Sequence, residues 1–379
     1  MKIIFCISQT YKIGGTVRVI ANRINHFAFQ DDFQFHILTT DQHGQLPALE
    51  MAGQVFHHDL GINYDDNCNS ASYKRIFPAF QKRILHLHRL KALLAQVAPD
   101  IIVTLGGAEA HFLPFICGRA KIIYEVHLHK YFKKYVSNRE DWIYRLKSTL
   151  ETQTLEGILK KYNRVIFLTK AEASYHDFEN YSVIPNSIVI DELEPRPIHD
   201  REKIVLFVGH FSKIKGIEEL IDIWKWVAPR NPGWELHCYG SGDLLENVQG
   251  RIRRYGLSER IRIFPPVKDT TSLFKKVSLL VLPSKTEQFP MVILEAMNAG
   301  TPCIAYDCPA GISEVIIDGV NGRIVPDQDA IKFAKILNEI LSDKMVLLHL
   351  SENAKQQVKT FSELKVMKLW KELYEEILI

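Results

Sequence analysis

Short, continuous apolar runs recur along the first half of the chain and are separated by longer segments of mixed polarity. These runs are residues 2–8, 33–40, 100–105, 121–127, 164–169 and 182–186. Continuous rather than alternating apolar runs are typical of strands that are buried on both faces. The segments between them have the length and pattern of helices, and this alternation favours a parallel sheet.

The same alternation begins again after a polar segment, residues 189–203, which contains two prolines and is predicted to be a linker. The later runs are residues 204–211, 234–240, 260–267, 277–284, 301–307 and 322–326. The chain is therefore predicted to be α/β, with two doubly wound domains, residues 1–188 and 204–360, that face each other across a cleft. Ligands of open α/β sheets bind at the carboxyl ends of the strands.

Residues 361–379 are predicted to form an amphipathic C-terminal helix. Its apolar side chains recur at helical spacing and share one face. They are Val366, Trp370, Leu373, Tyr374 and Ile377. Because the segment follows the second domain, it is free to pack on either domain, including back on the N-terminal one.

Composition excludes several classes of protein. The 379 residues carry a net charge of +3, which gives no case for nucleic-acid binding. The six cysteines form no metal-ligand spacing, and the N-terminal run lacks a cleavage site, so we expect a reducing, cytoplasmic environment. No apolar stretch approaches the roughly 18 residues that a membrane span requires.

Two carboxylates accompany the apolar run after residue 284. Pro290 and Gly300 bracket a predicted helix, about 290–299, that is apolar on every side. Glu287 lies in the loop before this helix, and Glu295 lies within it. A buried carboxylate needs donors, and the free amides of a helix N-terminus favour anionic ligands. The pattern suits a sugar or a ribose, although a capping glutamate and a structural salt bridge explain it equally well.

The order of motifs around this pair resembles the retaining nucleotide-sugar glycosyltransferases of family 4. Seven residues separate the two glutamates, with Phe-Pro after the first and EAMNAGTP around the second. Three further segments are similar to family elements: VGHFSKIKGIEELI (208–221) to Gly-Arg-…-Lys-Gly, QTYKIGGTVRVIANR (9–23) to the Gly-Gly loop, and VIPNSI (183–188) to the close of the first domain. The resemblance covers nearly the whole chain and implies the GT-B fold, two Rossmann-like domains facing across a cleft.

The resemblance also implies roles for the residues of the second domain. Glu295 would hold the ribose of the donor nucleotide through its carboxylate, without a protein partner. Glu287 would hold the donor sugar. The backbone amides of Phe289, Met291 and Val292 would hold the sugar and the diphosphate end.

Four more residues receive roles in the same way. Lys215 would neutralise the diphosphate, and Gly15, after the first strand, would allow the backbone to approach a phosphate. His127, at the end of the run 121–127, corresponds to a family histidine that contacts the reacting sugar, with His129 as a rival for that position. Glu125 shares its strand face and could orient it. The residues expected to be catalytic are His127, Glu287 and Lys215.

Two positions depart from the family pattern. His210 stands where the family has a phosphate-binding Arg, so the imidazole is expected to contact the phosphate, with Lys213 as a possible substitute. Arg is always charged, whereas His is neutral over much of the physiological pH range. Gln288 stands where the family commonly has Gly, and its side chain is placed to crowd or contact the donor sugar.

The resemblance implies a retaining glycosyltransferase that moves a sugar from a nucleotide sugar, expected to be a UDP-sugar, to a glycan or lipid-linked acceptor in bacterial surface-polysaccharide assembly. No metal or other cofactor is expected, because the acidic YDDN (64–67) lies in a polar loop. Two alternatives remain: a sugar-nucleotide epimerase on the same fold, and a non-catalytic nucleotide-sugar-binding subunit.

One segment suggests contact with a membrane. Residues 127–164 contain nine Lys or Arg against four Asp or Glu, interleaved with aromatic residues. Such a segment can lie peripherally on the inner face of the cell membrane and meet a lipid-linked acceptor. A solvated helix pair with a partly buried aromatic face explains it equally well.

Overall fold

The computed structural model describes most of the chain. The described residues are 1–12, 14–30, 32–67, 76–127, 129–130, 142–191, 197–267, 269–309 and 311–379, with the backbone alone for 67, 76–77 and 142–150. Among these residues, no helix combines the length and the apolar character that crossing a bilayer requires.

The first domain is built on a seven-stranded parallel sheet in the order β3-β2-β1-β4-β5-β6-β7. Its strands are β1 (Lys2–Ile7), β2 (Gln34–Thr39), β3 (Val55–Asp59), β4 (Ile101–Thr104), β5 (Lys121–Val126), β6 (Arg164–Phe167) and β7 (Tyr181–Val183). Its described helices are α1 (Gly15–Phe27), α2 (Ile76–Val97), α3 (Leu113–Ile116), α4 (Trp142–Leu159) and α5 (Lys170–Ala173).

The second domain repeats the plan with six parallel strands in the order β10-β9-β8-β11-β12-β13. Its strands are β8 (Glu202–Val208), β9 (Glu235–Tyr239), β10 (Ile261–Phe264), β11 (Val277–Leu282), β12 (Cys303–Asp307) and β13 (Gly322–Pro326). Its helices, with the C-terminal one, are α6 (Ile217–Val227), α7 (Leu245–Arg254), α8 (Thr271–Phe274), α9 (Met291–Asn298), α10 (Ile312–Val315), α11 (Ala330–Ser342), α12 (Lys344–Gln357) and α13 (Glu363–Leu378). The predicted two-sheet α/β class is confirmed.

The apolar runs form strands because both faces of each sheet are covered. One core cluster lies on each face of each sheet, and β1 alternates between them: Ile3 and Phe5 face one cluster, and Ile4 and Cys6 face the other. The edge strand β3 was not predicted. Its sequence, VFHHD, is short and polar, and most of its side chains are exposed or half-buried.

Helix α13 packs on the first sheet rather than on the domain that precedes it. Its apolar face lies against β1, β2 and helix α1, with Trp370 and Tyr374 almost completely buried. Ile188, at the end of the first domain, is hydrogen-bonded to the segment that leads into α13. Its N–H donates to the carbonyl of Phe361, and its carbonyl accepts from the N–H of Glu363. Full burial of a large apolar side chain stabilises the folded state by about 1.5–3 kcal/mol. Six side chains of α13 are buried in this way and hold the helix on the first domain: Val366, Met367, Trp370, Leu373, Tyr374 and Ile377.

The predicted linker is shorter than expected at its C-terminal end. β8 begins at Glu202, two residues before the predicted start, and residues Ile198–Asp200 form a 3₁₀ turn. The central part of the linker, 192–196, lies outside the described residues.

Candidate active site between the two domains

A cavity of about 270 Å³ lies where the carboxyl ends of the two sheets meet. Its lining comes from both domains: Gly15, Thr16, His127, Leu168 and Asn186 from the first, and Val208, Lys215, Leu282, Glu287, Gln288, Phe289, Pro290, Met291 and Val292 from the second. Seven predicted site residues are therefore brought together here. A larger groove of about 760 Å³, beside Trp226 and Ile331, lies away from the carboxyl ends of the strands and gathers none of them.

Lys215 and Glu287 form an ion pair in the cavity wall, in which Nζ of Lys215 donates to the carboxylate. Gly216 makes this position possible, since its φ is +67° and a Cβ there would lie 2.0 Å from the carbonyl oxygen of Pro283. Only glycine tolerates both conditions. The Lys-Gly pair thus places the ammonium group beside the loop that precedes α9.

Helix α9 directs its N-terminus at the same cavity. The predicted first residue, Pro290, has an extended backbone and caps the helix from outside, so α9 begins at Met291. Met291 and Val292 are half-buried and line the cavity, whereas Ile293 and Leu294 are fully buried in the core. The orphan amides of the first turn therefore face the ligand space.

Glu295 lies one turn further along α9, outside the cavity lining, and it has protein partners. Its carboxylate accepts from Nη1 of Arg18 at 2.7 Å and from Oγ1 of Thr270 at 2.7 Å. The expectation that this carboxylate lacks a protein partner is therefore wrong. Arg18 belongs to α1 of the first domain and was not predicted as a site residue. The sequence offered one indication of this role: Arg18 is a cationic residue only three positions after Gly15, which was predicted to approach a phosphate.

His127 is held by a buried carboxylate. Its Nε2 lies 3.1 Å from Oε2 of Glu125, so the expected orienting contact is present. Glu125 is fully buried and is paired through both oxygens with Arg23, at 2.5 and 3.0 Å. Burial raises the pKa of Glu125, but the Arg23 charge and hydrogen bonds from His127 and Arg23 outweigh it and lower the pKa to about 2. An ionised Glu125 can only accept a hydrogen bond, so Nε2 of His127 carries the hydrogen in this contact.

Gln288 joins the two domains. Its Nε2 donates to the backbone carbonyl of Val126, the residue before His127, at 2.8 Å. Its backbone is supported by Gly311, where a Cβ would lie 2.1 Å from the Gln288 carbonyl oxygen. The Gln288 side chain thus links the His127 half of the cavity to the Glu287 half.

Three other predicted positions lie apart from the cavity lining. His210 and Lys213 are exposed and do not line it. His129 is buried, with Nδ1 2.5 Å from the carboxylate of Glu172, so His127 is the histidine that faces the ligand space. Gly15 lines the cavity, and a Cβ there would meet nothing within 4 Å, so packing does not require glycine at this position.

The acidic YDDN segment forms a 3₁₀ helix, Tyr64–Asn67. Within the described part of the chain, one group could hold a metal ion, namely the exposed His43, Asp65 and Asp66. None of the three lines the interdomain cavity.

Comparison with known proteins finds glycosyltransferases among the relatives of this chain. Residues 190–357 match the family model of glycosyl transferases group 1. An uncharacterized glycosyltransferase of Haemophilus influenzae is 24% identical over 381 residues, which cover 98% of this chain and 99% of that protein. A lipopolysaccharide 1,6-galactosyltransferase of Escherichia coli is 26% identical over 301 residues, covering 76% of this chain and 77% of that protein.

Among solved structures, HepE of Anabaena in complex with UDP-glucose has a TM-score of 0.74 and 18% identity, covering 99% of this chain and 100% of that one. That likeness extends across both domains and the cleft between them. Residues 190–357 therefore match the family of glycosyl transferases group 1, and the two domains of the chain together have the GT-B fold.

Proposed function

We propose that the protein is a retaining glycosyltransferase that moves a sugar from a UDP-sugar to a glycan or lipid-linked acceptor in bacterial surface-polysaccharide assembly. The observation that carries this proposal is the convergence of Lys215, Glu287, His127 and the N-terminus of α9 on one interdomain cavity. The similarity to a lipopolysaccharide galactosyltransferase supports the acceptor class.

The cavity offers the groups that the reaction needs. Departure of a nucleoside diphosphate leaves negative charge, which Lys215 and the free amides of α9 would stabilise electrostatically. Glu287, beside Lys215, would hold the sugar hydroxyls, and Glu295 would hold the ribose. His127, oriented by Glu125, would contact the reacting sugar from the other domain. No carboxylate is assigned as a nucleophile.

We propose that the acceptor enters through a neighbouring cavity of about 260 Å³ at the carboxyl end of the first sheet. Its polar lining residues include Ser8 and Gln9 and suit a glycan hydroxyl. Thr16 lines this cavity and the donor cavity, so the two spaces adjoin.

Contact with an anionic membrane surface is also proposed, at the inner face of the cell membrane. The predicted segment 127–164 lies only partly within the described residues, but helix α2 adds support. It contains no acidic residue, and Phe80 and Ile84 are 60% and 42% exposed. Arg83 and Lys91 are exposed on the same helical face. Aromatic and cationic side chains on one face suit the headgroup region of anionic lipids.

One experiment separates the proposed function from its two alternatives. The protein is incubated with a panel of UDP- and GDP-sugars, with and without a bacterial membrane lipid extract, and nucleotide release and sugar identity are followed. Acceptor-dependent release of UDP supports the transferase. Conversion of the sugar without acceptor and without release indicates an epimerase, and binding without any turnover indicates a non-catalytic subunit.

The same assay tests the requirement for a metal. Turnover is expected to persist in EDTA, because Lys215 and backbone amides would neutralise the diphosphate. Loss of turnover in EDTA that manganese or magnesium restores would contradict this mechanism.

A further inference from the structure

An ion pair crosses the cleft beside the donor cavity. Arg18 lies on α1, directly after Thr16 and Val17, and its Nη1 donates to Glu295 of the other domain at 2.7 Å. The two side chains are 27% and 15% exposed. Partly exposed ion pairs contribute little to stability, so stability alone is a weak reason for this contact.

The proposed donor would carry more negative charge than the predicted phosphate residues neutralise. Lys215 is paired with Glu287. His210, at the position of the family's Arg, is exposed and outside the cavity lining. A guanidinium is always charged and presents its N–H groups as a fork that fits phosphate oxygens. Arg18 does not line the cavity itself, but it comes two residues after Thr16, which does, and it pairs with the helix whose first turn lines the cavity from the other domain.

We propose that Arg18 binds the diphosphate of the donor, the role expected of His210. The inference rests on the proposed function. Helix α9 carries Glu295, the expected ribose ligand, and follows Glu287, the expected sugar ligand, so the diphosphate between ribose and sugar lies along its first turns. A guanidinium held against Glu295 is then within reach of the diphosphate.

The pair with Glu295 does not block the ribose. An ionised carboxylate has about four acceptor positions, so it can accept from Arg18, Thr270 and ribose hydroxyls together. The ion pair therefore orients the guanidinium toward the ligand. Because Arg18 and Glu295 belong to different domains, a ligand bound to both holds the cleft closed.

Calorimetric titration with UDP and with uridine tests this role. Arg18→Ala is expected to weaken UDP binding about tenfold or more, the usual effect of losing a hydrogen bond to a charged group, and to change uridine binding little. Arg18→Lys should retain part of the affinity, since it keeps the charge. Added salt should weaken UDP binding less in Arg18→Ala than in the wild type.

The matched control is Arg251→Ala. Arg251 has a similarly exposed side chain, 30%, and pairs with Asp222 at 2.6 Å, but both residues belong to helices of the second domain, so this ion pair does not cross the cleft. This variant should bind UDP as the wild type does. Thermal unfolding of every variant establishes that it is folded before titration.

Each other outcome overturns the inference. Unchanged affinity would show that Arg18 does not touch the donor. Equal losses for UDP and uridine would show that it acts only by orienting Glu295. Tighter binding of both ligands would show that the ion pair competes with the ribose. A wild type that binds neither UDP nor any UDP-sugar would contradict the proposed function itself, and the role of Arg18 with it.

Discussion

Replacing Arg23 with methionine is expected to destabilise the first domain and to change how its stability depends on pH. Arg23 and Glu125 are 1% and 0% exposed and are joined by two hydrogen bonds. The guanidinium also lies 3.4 Å from the centre of the Trp370 ring. Removing one partner of a buried ion pair costs about 3–5 kcal/mol, because the other charge loses its compensation. At about 2–4 °C per kcal/mol for a domain of this size, the unfolding temperature should fall by roughly 10 °C.

The pKa of Glu125 determines the sign of the pH effect. In the wild type burial raises this pKa, but Arg23 and His127 lower it to about 2, from an ordinary value of 4.5. A carboxyl group with a lowered folded pKa stabilises the protein above its unfolded pKa, and here that contribution is lost as the pH falls from about 4.5 to about 2. Without Arg23, burial should dominate and raise the pKa. The variant should then be least stable near pH 7 and recover relative to the wild type toward pH 5.

Thermal unfolding at pH 7, 6 and 5 measures both effects. The proteins are the wild type, Arg23→Met, the double variant Arg23→Met/Glu125→Met, and Arg251→Met as the control for losing a surface guanidinium. The double variant should recover much of the loss, because an apolar pair leaves no buried charge. A deficit that is constant from pH 7 to pH 5, or a double variant no more stable than Arg23→Met, would refute the reasoning.

Three further predictions address the cleft and the membrane face. Lys215→Ala should weaken UDP binding about tenfold or more in calorimetry while uridine binding changes little, and equal losses would remove its diphosphate role. Gln288→Met should lose the interdomain hydrogen bond and increase the radius of gyration in X-ray scattering; an unchanged radius would show that this bond does not hold the cleft. Phe80→Ser/Ile84→Ser should reduce sedimentation with phosphatidylglycerol-containing vesicles, whereas the exposed Phe29→Ser should not, and equal binding by both variants would exclude α2 as the contact.

The fold was predictable because a strand that is buried on both faces needs apolar side chains at consecutive positions. Each central strand therefore appears in the sequence as a continuous apolar run. Twelve of the thirteen strands follow such runs. The exception, β3 (Val55–Asp59), is an edge strand whose side chains need not be apolar. The predicted C-terminal end of the linker was wrong by two residues. β8 begins at Glu202, which is polar and exposed and therefore did not belong to the apolar run.

Seven of the residues that line the cavity were named from the sequence, because they follow the carboxyl end of a strand or belong to the helix after one. The contacts between them were not. Arg18 and Glu295 lie 277 residues apart, and Arg23 and Glu125 lie 102 apart. A pattern within a short stretch of sequence does not indicate which charged side chains, distant along the chain, will form ion pairs in the folded protein. The sequence raised the question of how the helix around Glu295 satisfies its carboxylate, and the structure answers with Arg18 and Thr270.

The affinity of Glu295→Ala for UDP tests most directly whether the interdomain cavity is the donor site. The ribose hydroxyls would lose their acceptor, and two hydrogen bonds to a charged group are worth about 1.5–3 kcal/mol each, so UDP binding should weaken about a hundredfold or more. The unfolding temperature should change little, since Glu295 is partly exposed and Arg18, freed of its partner, can be hydrated. A folded Glu295→Ala protein that binds UDP as tightly as the wild type would contradict the account.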